Sequence, residues 1–116
     1  NRVAGSIIHI SSISAHTGYK GLSMYAASNG ALQSFSKNIS REWGERGIRS
    51  NIVVPGYMET AMNAKLTAEH KSRIFKRKAL KKETDMQSVA ETVMFLSDER
   101  SRSITGQEIF VDSGTL

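Results

Sequence analysis

The amino-acid sequence predicts an α/β protein with about three parallel strands joined by crossover helices, half of a doubly wound sheet. Short runs rich in β-branched or apolar residues predict strands at 6–12, 48–54 and 107–111. Between them lie longer segments in which apolar residues recur every three or four positions, as in helices packed on a sheet. Strand, helix and strand at this spacing form βαβ units, in which a crossover, right-handed in nearly all known cases, joins parallel strands.

The first strand and the first long helix occupy the N-terminal half of the sequence. The run Ser-Ile-Ile-His-Ile-Ser-Ser at 6–12 is predicted to be a buried strand. Gly18 and Gly21 interrupt the pattern before a helix predicted over 24–45. The apolar residues of this helix predict one continuous packing stripe. They are Ala27, Ala31, Leu32, Phe35, Ile39 and Trp43.

The C-terminal half contains a basic segment, a helix and a strand. The segment 60–82 is strongly basic, and its apolar pattern is less regular than that of the other segments. A helix is predicted over 85–97, with Thr84 and Gln87 at the spacing of a capping box. The last strand is predicted over 107–111, after the turn at Thr105-Gly106.

Composition limits the class of protein. A chain of 116 residues is sufficient for one domain, and 39% hydrophobic with 23% charged residues excludes a disordered or fibrous class. No apolar run approaches the roughly 20 residues that cross a bilayer, so a soluble, cytoplasmic protein without membrane partners is expected. The sequence has no cysteine, which excludes disulfides and thiolate metal sites. Its three histidines lack the i, i+4 spacing of a helical metal pair, so no metal is expected.

Residues 11–29 are the strongest candidate for a site of chemistry. A serine pair, Ser11-Ser12, ends the first predicted strand, and Tyr25 opens the alanine-rich helix after a glycine-punctuated loop. Ligands of open α/β sheets bind beyond the carboxyl ends of strands, where Ser12 and Pro55 are both expected. The structural alternatives are a strand-end serine that caps a turn and an aromatic residue at a helix start.

Four sequence blocks resemble the short-chain dehydrogenase/reductase family, in the family's order and over nearly the whole chain. The closest likeness is to its 3-oxoacyl-[acyl-carrier-protein] reductase branch. The blocks are Gly-Ser-Ile-Ile…Ser-Ser at 5–12, Tyr25 at thirteen residues after Ser12, Asn-Ile-Val-Val-Pro-Gly at 51–56, and Ile-Thr-Gly-Gln at 104–107 with Val-Asp at 111–112.

This resemblance implies that residues 1–116 form a single partial Rossmann-type domain, the C-terminal half of a family member. It implies an NAD(P)H-dependent oxidoreductase that interconverts carbonyl and alcohol by hydride transfer. The N-terminal dinucleotide-binding half of the family has no counterpart here, since no glycine-rich phosphate turn follows a first strand. The chain is therefore expected to be part of a longer polypeptide and to bind a dinucleotide poorly by itself.

The resemblance also assigns roles to individual residues. Ser12 would donate a hydrogen bond to the substrate oxygen, and Tyr25 would be the general acid or base. The family's lysine, which lowers the tyrosine pKa and binds the nicotinamide ribose, is replaced by Asn29. Pro55-Gly56 and Thr60 would lie along the nicotinamide, although Pro-Gly also ends strands for structural reasons.

The exchange at Asn29 leads to a hypothesis about activity. An amide can hydrogen-bond a ribose hydroxyl but carries no charge, so the chain is predicted to be a weakened or inactive relative. Lys20, in the preceding loop, is an alternative source of the positive charge that position 29 lacks. A non-catalytic relative that serves assembly or binds acidic partners is the alternative function. By family likeness, a homo-oligomer is expected.

Positive charge is concentrated between Lys65 and Lys82. This segment has eight Lys and Arg residues and one acidic residue, Glu69. Its net charge of +7 exceeds the net charge of +5 for the whole sequence. An acidic acyl carrier protein that delivers the carbonyl substrate, or a phosphorylated substrate, is a candidate partner. A solvated helical face is the alternative. Nucleic acid is not expected, because Phe75 is the only interleaved aromatic residue.

Overall fold

The computed structural model describes residues 4–18, 20–58 and 67–116. Three parallel strands form a sheet in the order β1-β2-β3, which confirms the predicted α/β class. The strands are β1 (Gly5–Ile10), β2 (Ile48–Pro55) and β3 (Glu108–Val111). In the register, Val53 of β2 lies between Ile10 of β1 and Ile109 of β3.

Four α-helices are present in the described residues. They are α1 (Ser14–Thr17), α2 (Ser23–Trp43), α3 (Ala68–Arg77) and α4 (Met86–Ser97). Short 3₁₀ turns, Gly44–Arg46 and Glu99–Ser101, follow α2 and α4. In the parts of the chain described here, no helix is both long and apolar enough to cross a membrane.

β2 is the centre of the fold because it is covered on both faces. Ser50, Ile52 and Val54 share one face, where the Ser50 hydroxyl lies 2.8 Å from the Ser36 hydroxyl of α2. Ile52 and Val54 form the core there with Ile13, and Leu32 of α2 packs against them. The alternate residues of β2 face α4.

Two side chains of β2 fix the crossover to β3. The Asn51 amide nitrogen donates to the Ile104 carbonyl (2.9 Å), and its oxygen accepts from the Gln107 N–H (3.0 Å). The Arg49 guanidinium donates to the carbonyls of Ile104 (3.2 Å) and Leu96 (2.8 Å). The second bond satisfies a carbonyl near the C-terminus of α4, where a cation is favourable.

The prediction that the first strand is buried was wrong. β1 pairs with β2 but with no other strand of the described residues, and Ile7 and Ile10 remain 40% and 52% exposed. A parallel strand is buried only when both of its neighbours and both face layers are present. The short β-branched run therefore identified the strand correctly without indicating its environment.

The predicted packing stripe of α2 is divided between two faces. Leu32 and Ile39 lie with the buried Ser36 and Ser40 toward the sheet. Phe35 is 54% exposed, and the other outward-facing members of the stripe, Ala27, Ala31 and Trp43, are also exposed. The small side chains of Ser36 and Ser40 allow the helix to lie close to β2. The remaining apolar residues of the stripe lie on the outward side of the helix.

One further local prediction in the C-terminal half was wrong, and the less regular basic segment contains a helix. This helix is α3, and the Thr67 hydroxyl caps it by accepting from the His70 N–H (3.2 Å). Asp85, rather than Thr84, caps α4, because the Asp85 carboxylate accepts from the Ser88 N–H (2.6 Å). The Thr84 hydroxyl instead bonds to Ser113 at 2.9 Å.

Candidate active site

The carboxyl ends of β1 and β2 meet at one edge of the sheet. The Ser11 N–H donates to the Val53 carbonyl (2.9 Å), and the Ile13 N–H donates to the Pro55 carbonyl (3.4 Å). Ser12 lies between these two bonds, so the structure brings Ser12 and Pro55 to the same edge. This is the edge at which open α/β sheets bind ligands.

Within the described parts of the chain, the Ser12 hydroxyl forms two hydrogen bonds, both with Ser14. The Ser12 oxygen accepts from the Ser14 N–H at 3.2 Å and from the Ser14 hydroxyl at 3.1 Å. This is the hydrogen-bond pattern of a serine turn, and it begins α1. Turn formation and a role in chemistry are compatible, because the hydroxyl hydrogen of Ser12 is used by neither bond.

Tyr25 lies in the first turn of α2 with its side chain 48% exposed. The Ser11 hydroxyl donates to the Asn29 carbonyl, one turn further along, at 3.4 Å. The end of β1 that carries Ser12 is therefore joined to the turn of α2 that begins at Tyr25. The short helix α1 also packs against α2.

Asn29 lies one helical turn after Tyr25 in α2. Its amide nitrogen donates to the Tyr25 carbonyl at 2.9 Å, an i to i−4 bond within the helix. The amide is neutral, so it supplies no charge that would stabilise a tyrosinate. Lys20 lies in an exposed turn before α2.

Gly56 has a structural role that the sequence did not indicate. Its N–H donates to the Val111 carbonyl at 2.9 Å, and a Cβ at this position would lie 2.7 Å from the Cα of Asp112. Only glycine permits this close approach of the two strand ends. The predicted contacts of Pro55 and Gly56 with a nicotinamide remain predictions, and Thr60 lies outside the described residues.

Sequence reasoning missed two neighbours of Ser12 that shape the site. Ser14 is 4% exposed and holds Ser12, and the only signal was a second serine two positions on. His16 follows in the same helix, α1, and its Nε2 lies 3.0 Å from the Glu108 carboxylate of β3. The pairing of distant residues such as His16 and Glu108 is a property of the fold and has no local sequence pattern.

A groove of about 680 Å³ lies between α2 and β3, beside the candidate site. His16, Lys37 and Phe110 are among its lining residues. No group of three His, Asp or Glu residues that could hold a metal occurs within 4–18, 20–58 and 67–116.

Comparison with known proteins identifies related chains. The family model described as Enoyl-(Acyl carrier protein) reductase matches residues 1–115. Carbonyl reductase [NADPH] 2 of Sus scrofa is 34% identical over 116 residues, which cover 98% of this chain and 48% of that protein. The 3-oxoacyl-[acyl-carrier-protein] reductase FabG of Chlamydia trachomatis is 36% identical over 111 residues, which cover 96% and 45% of the two chains.

A solved structure agrees in fold over the same region. The gluconate 5-dehydrogenase from Burkholderia cenocepacia, in complex with NADP and tartrate, matches with a TM-score of 0.92 and 30% identity. The match covers 97% of this chain and 45% of that one. The chain thus spans about half the length of the relatives it matches. By the family match over 1–115, the parallel sheet and the shared fold, the chain belongs to the short-chain dehydrogenase/reductase family.

Proposed function

We propose that this chain is the C-terminal part of an NAD(P)H-dependent oxidoreductase that interconverts carbonyl and alcohol groups by hydride transfer. Residues 1–116 would form one partial Rossmann-type domain, and a dinucleotide-binding half would complete it. The observation that carries this proposal is the junction of β1, β2 and α2. It holds Ser12 beside Pro55 and joins the end of β1 to the turn that begins at Tyr25.

The two hydroxyl groups have separate roles in carbonyl reduction. When bound, a nicotinamide cofactor supplies the hydride that adds to the carbonyl carbon. Negative charge then develops on the substrate oxygen, where Ser12 donates a hydrogen bond. Tyr25 transfers its phenolic proton to the same oxygen and becomes a tyrosinate, which regains a proton from solvent. In alcohol oxidation the tyrosinate accepts that proton.

Asn29 makes the proposed site a weak one. A phenol titrates near pH 10 when unperturbed, and a nearby cation lowers a pKa by about 1–3 units, or about 1.4–4 kcal/mol. The Asn29 amide is already bonded to the Tyr25 carbonyl and offers no such charge. The tyrosinate form of Tyr25 therefore lacks stabilisation that a lysine would provide, and turnover near neutral pH is expected to be low.

The test is Asn29→Lys in the full-length polypeptide. We expect turnover to rise by about tenfold or more, with its pH profile moved toward lower pH. Asn38→Lys is the matched control, because Asn38 also donates to the carbonyl four residues earlier in α2 (2.9 Å) and the charge change is identical. Equal effects of the two substitutions, or no effect of either, would contradict the proposed role of position 29.

The chain offers contacts for the nicotinamide end of a dinucleotide. Asn29, Pro55, Gly56 and Thr60 are the proposed binding residues, and Asn29 would reach the ribose. The phosphates have no glycine-rich turn within the sequence to bind them. Fluorescence titration with NADH and NADPH is therefore expected to show saturable binding for the full-length polypeptide and none for the 116-residue chain. Micromolar binding to the chain alone would refute the need for a second half.

A carbonyl substrate carried by an acidic acyl carrier protein is the finer proposal. The name of the FabG relative indicates such a carrier for that protein. In this chain Lys76 and Arg77 lie exposed in the last turn of α3, and Lys81 lies over the Phe75 ring at 5.9 Å. Together with Lys82, these residues give α3 and the turn after it an exposed basic face.

Not every cation of the basic segment contributes to that face. Lys78 is buried and donates to the Lys82 carbonyl at 3.2 Å. Arg73 pairs with the Glu69 carboxylate at 2.7 Å, so its charge is partly compensated. Lys65 lies outside the described residues. The proposed docking face is accordingly smaller than the charge count of the sequence indicates.

Binding to an acidic carrier protein tests this face. We expect affinity to fall steeply between low and physiological salt, and to fall again in Lys76→Glu with Arg77→Glu. The control is Arg41→Glu with Arg102→Glu, which changes the charge equally at other exposed positions. Salt-independent binding, or equal losses in both double variants, would contradict docking at α3.

A non-catalytic role in assembly is the second candidate function. Met24 and Phe35 of α2 are exposed large hydrophobic residues, and surfaces of this kind mark interfaces. We propose that α2 mediates homo-oligomer formation whether or not the site turns over. Sedimentation of the chain should show a concentration-dependent dimer that Phe35→Glu dissociates. A monomer at all concentrations would exclude this role.

A further inference from the structure

We infer that Ser14 is a positioning residue, which aims the hydroxyl hydrogen of Ser12 at the substrate oxygen. The inference rests on the proposed function, in which Ser12 donates to that oxygen. It concerns a different residue and a different bond from those that the function assigns. Ser14 itself would touch neither substrate nor cofactor.

The number of hydrogen bonds that a hydroxyl group can form limits where the Ser12 hydrogen points. A serine hydroxyl has two acceptor lone pairs and one donor hydrogen. The Ser12 oxygen accepts from the Ser14 N–H at 3.2 Å and from the Ser14 hydroxyl at 3.1 Å. Both lone pairs are thus occupied by the same residue. The Ser12 hydrogen therefore points in the remaining direction, away from Ser14, and can be donated to another group.

Burial of Ser14 fixes the direction of the second bond. Ser14 is 4% exposed, and its hydroxyl has no other hydrogen-bond partner in the described parts of the chain. If Ser12 donated to Ser14 instead, the Ser14 hydrogen would be buried without an acceptor, an unfavourable state. The Ser14 hydroxyl is therefore the donor in this bond, and the Ser12 oxygen is the acceptor.

The position of Ser14 makes this arrangement rigid. Ser14 begins α1, while the Ile13 N–H donates to the Pro55 carbonyl at 3.4 Å. On the other side, the Ser11 N–H donates to the Val53 carbonyl at 2.9 Å. Ser12 is consequently held by the backbone hydrogen bonds of the residues before and after it and by the two bonds from Ser14. A hydroxyl that accepts two hydrogen bonds is also polarised, which strengthens the bond that it donates.

The first experiment uses the 116-residue chain and needs no activity. The chain has no cysteine, so Ser12→Cys introduces a single thiol whose alkylation by iodoacetamide can be followed against pH. Two donors from Ser14 should stabilise the thiolate and lower its pKa. We expect Ser12→Cys with Ser14→Ala to titrate about one unit higher than Ser12→Cys alone.

Two further variants serve as controls for this titration. Ser12→Cys with Ser23→Ala removes an exposed hydroxyl at the start of α2 and should titrate like Ser12→Cys alone. Ser12→Cys with Ser14→Gly also keeps the backbone donor and removes the hydroxyl together with Cβ, so it gives a second measurement if the alanine variant unfolds. Identical pH profiles with and without the Ser14 hydroxyl, in folded protein, would overturn the inference.

The second experiment measures turnover in the full-length polypeptide, in the Asn29→Lys background if the natural protein is slow. Ser14→Ala should lower kcat about tenfold and leave KM within about twofold, while Ser14→Thr, which keeps both donors, restores kcat. Ser12→Ala with Ser14→Ala should be no slower than Ser12→Ala. If Ser12→Ala has no effect, the proposed function fails. If only Ser14→Ala has no effect, the inference about Ser14 fails alone.

Discussion

β1 and β2 are adjacent strands of similar composition, and their surroundings differ. Residues 50–55 of β2 are buried without exception, between two strands and two helices. β1 pairs with β2 alone in the described chain, and Ile7 and Ile10 are largely exposed. The proposed chemistry lies at the boundary of these regions, with Ser12 at the end of the exposed strand and Pro55 at the end of the buried one. A rigid neighbour can thus hold a functional group on an otherwise uncovered strand.

The largest expected effect compares one isoleucine from each strand. Ile52→Ala should destabilise the chain by about 2–5 kcal/mol, because it leaves a cavity in the buried core. Ile7→Ala, at a side chain that is already partly in water, should cost less than about 1 kcal/mol. Urea unfolding followed by circular dichroism measures both. Comparable losses would mean that β1 is covered in solution, for example by a second copy.

The next comparison uses two asparagines. Asn51→Ala leaves the Gln107 N–H without its buried acceptor and the Ile104 carbonyl with only the Arg49 donor, and should cost about 2–4 kcal/mol. Asn38→Ala removes an exposed bond within α2 and should stay within about 0.5 kcal/mol. The same unfolding measurement applies. A small loss for Asn51→Ala would show that water replaces its two bonds and that β2 is less enclosed than its burial indicates.

A smaller difference is expected at the Leu96 carbonyl, which both strands contact. Arg49 of β2 donates to it at 2.8 Å, and the Ser6 hydroxyl of β1 donates at 2.7 Å. Arg49→Lys loses the planar fork that also reaches Ile104 and should cost about 1–2 kcal/mol. Ser6→Ala should cost about 0.5–1.5 kcal/mol. A larger loss at Ser6 would indicate that β1, rather than β2, anchors the end of α4.

The smallest effect is the pH dependence of the cap of α4, which packs on both strands. The hydrogen bond from the Ser88 N–H lowers the pKa of the Asp85 carboxyl below its ordinary value. The folded state therefore favours the carboxylate, and this stabilisation is present above about pH 4 and lost as pH falls through the folded pKa. Asp85→Asn keeps a cap without a titrating group.

The measurement is the urea midpoint of both proteins between pH 6 and pH 3. The advantage of the natural chain over Asp85→Asn should shrink over that interval. A constant difference would show that the charge of Asp85 contributes nothing to the cap.

Local patterns predicted most of the secondary structure, and two exceptions show why they did not predict all of it. The cationic side chains of α3 leave Ile74 and Phe75 as its only large apolar residues, so the apolar period that identifies helices is missing. Thr84 and Asp85 are both acceptable caps by residue type. Thr84 is taken by Ser113, which is distant in sequence, and Asp85 caps α4 instead.

The sequence by itself determined the α/β class and the three parallel strands, because strand and helix periods are local properties. The roles of Ser12 and Tyr25 follow from the family resemblance of their spacing and stay predictions. Only the tertiary structure decided which apolar residues are buried and what holds Ser12. Burial depends on which elements lie on each face, and the direction of the Ser12 hydrogen depends on two bonds from Ser14 and on the burial that denies Ser14 another partner.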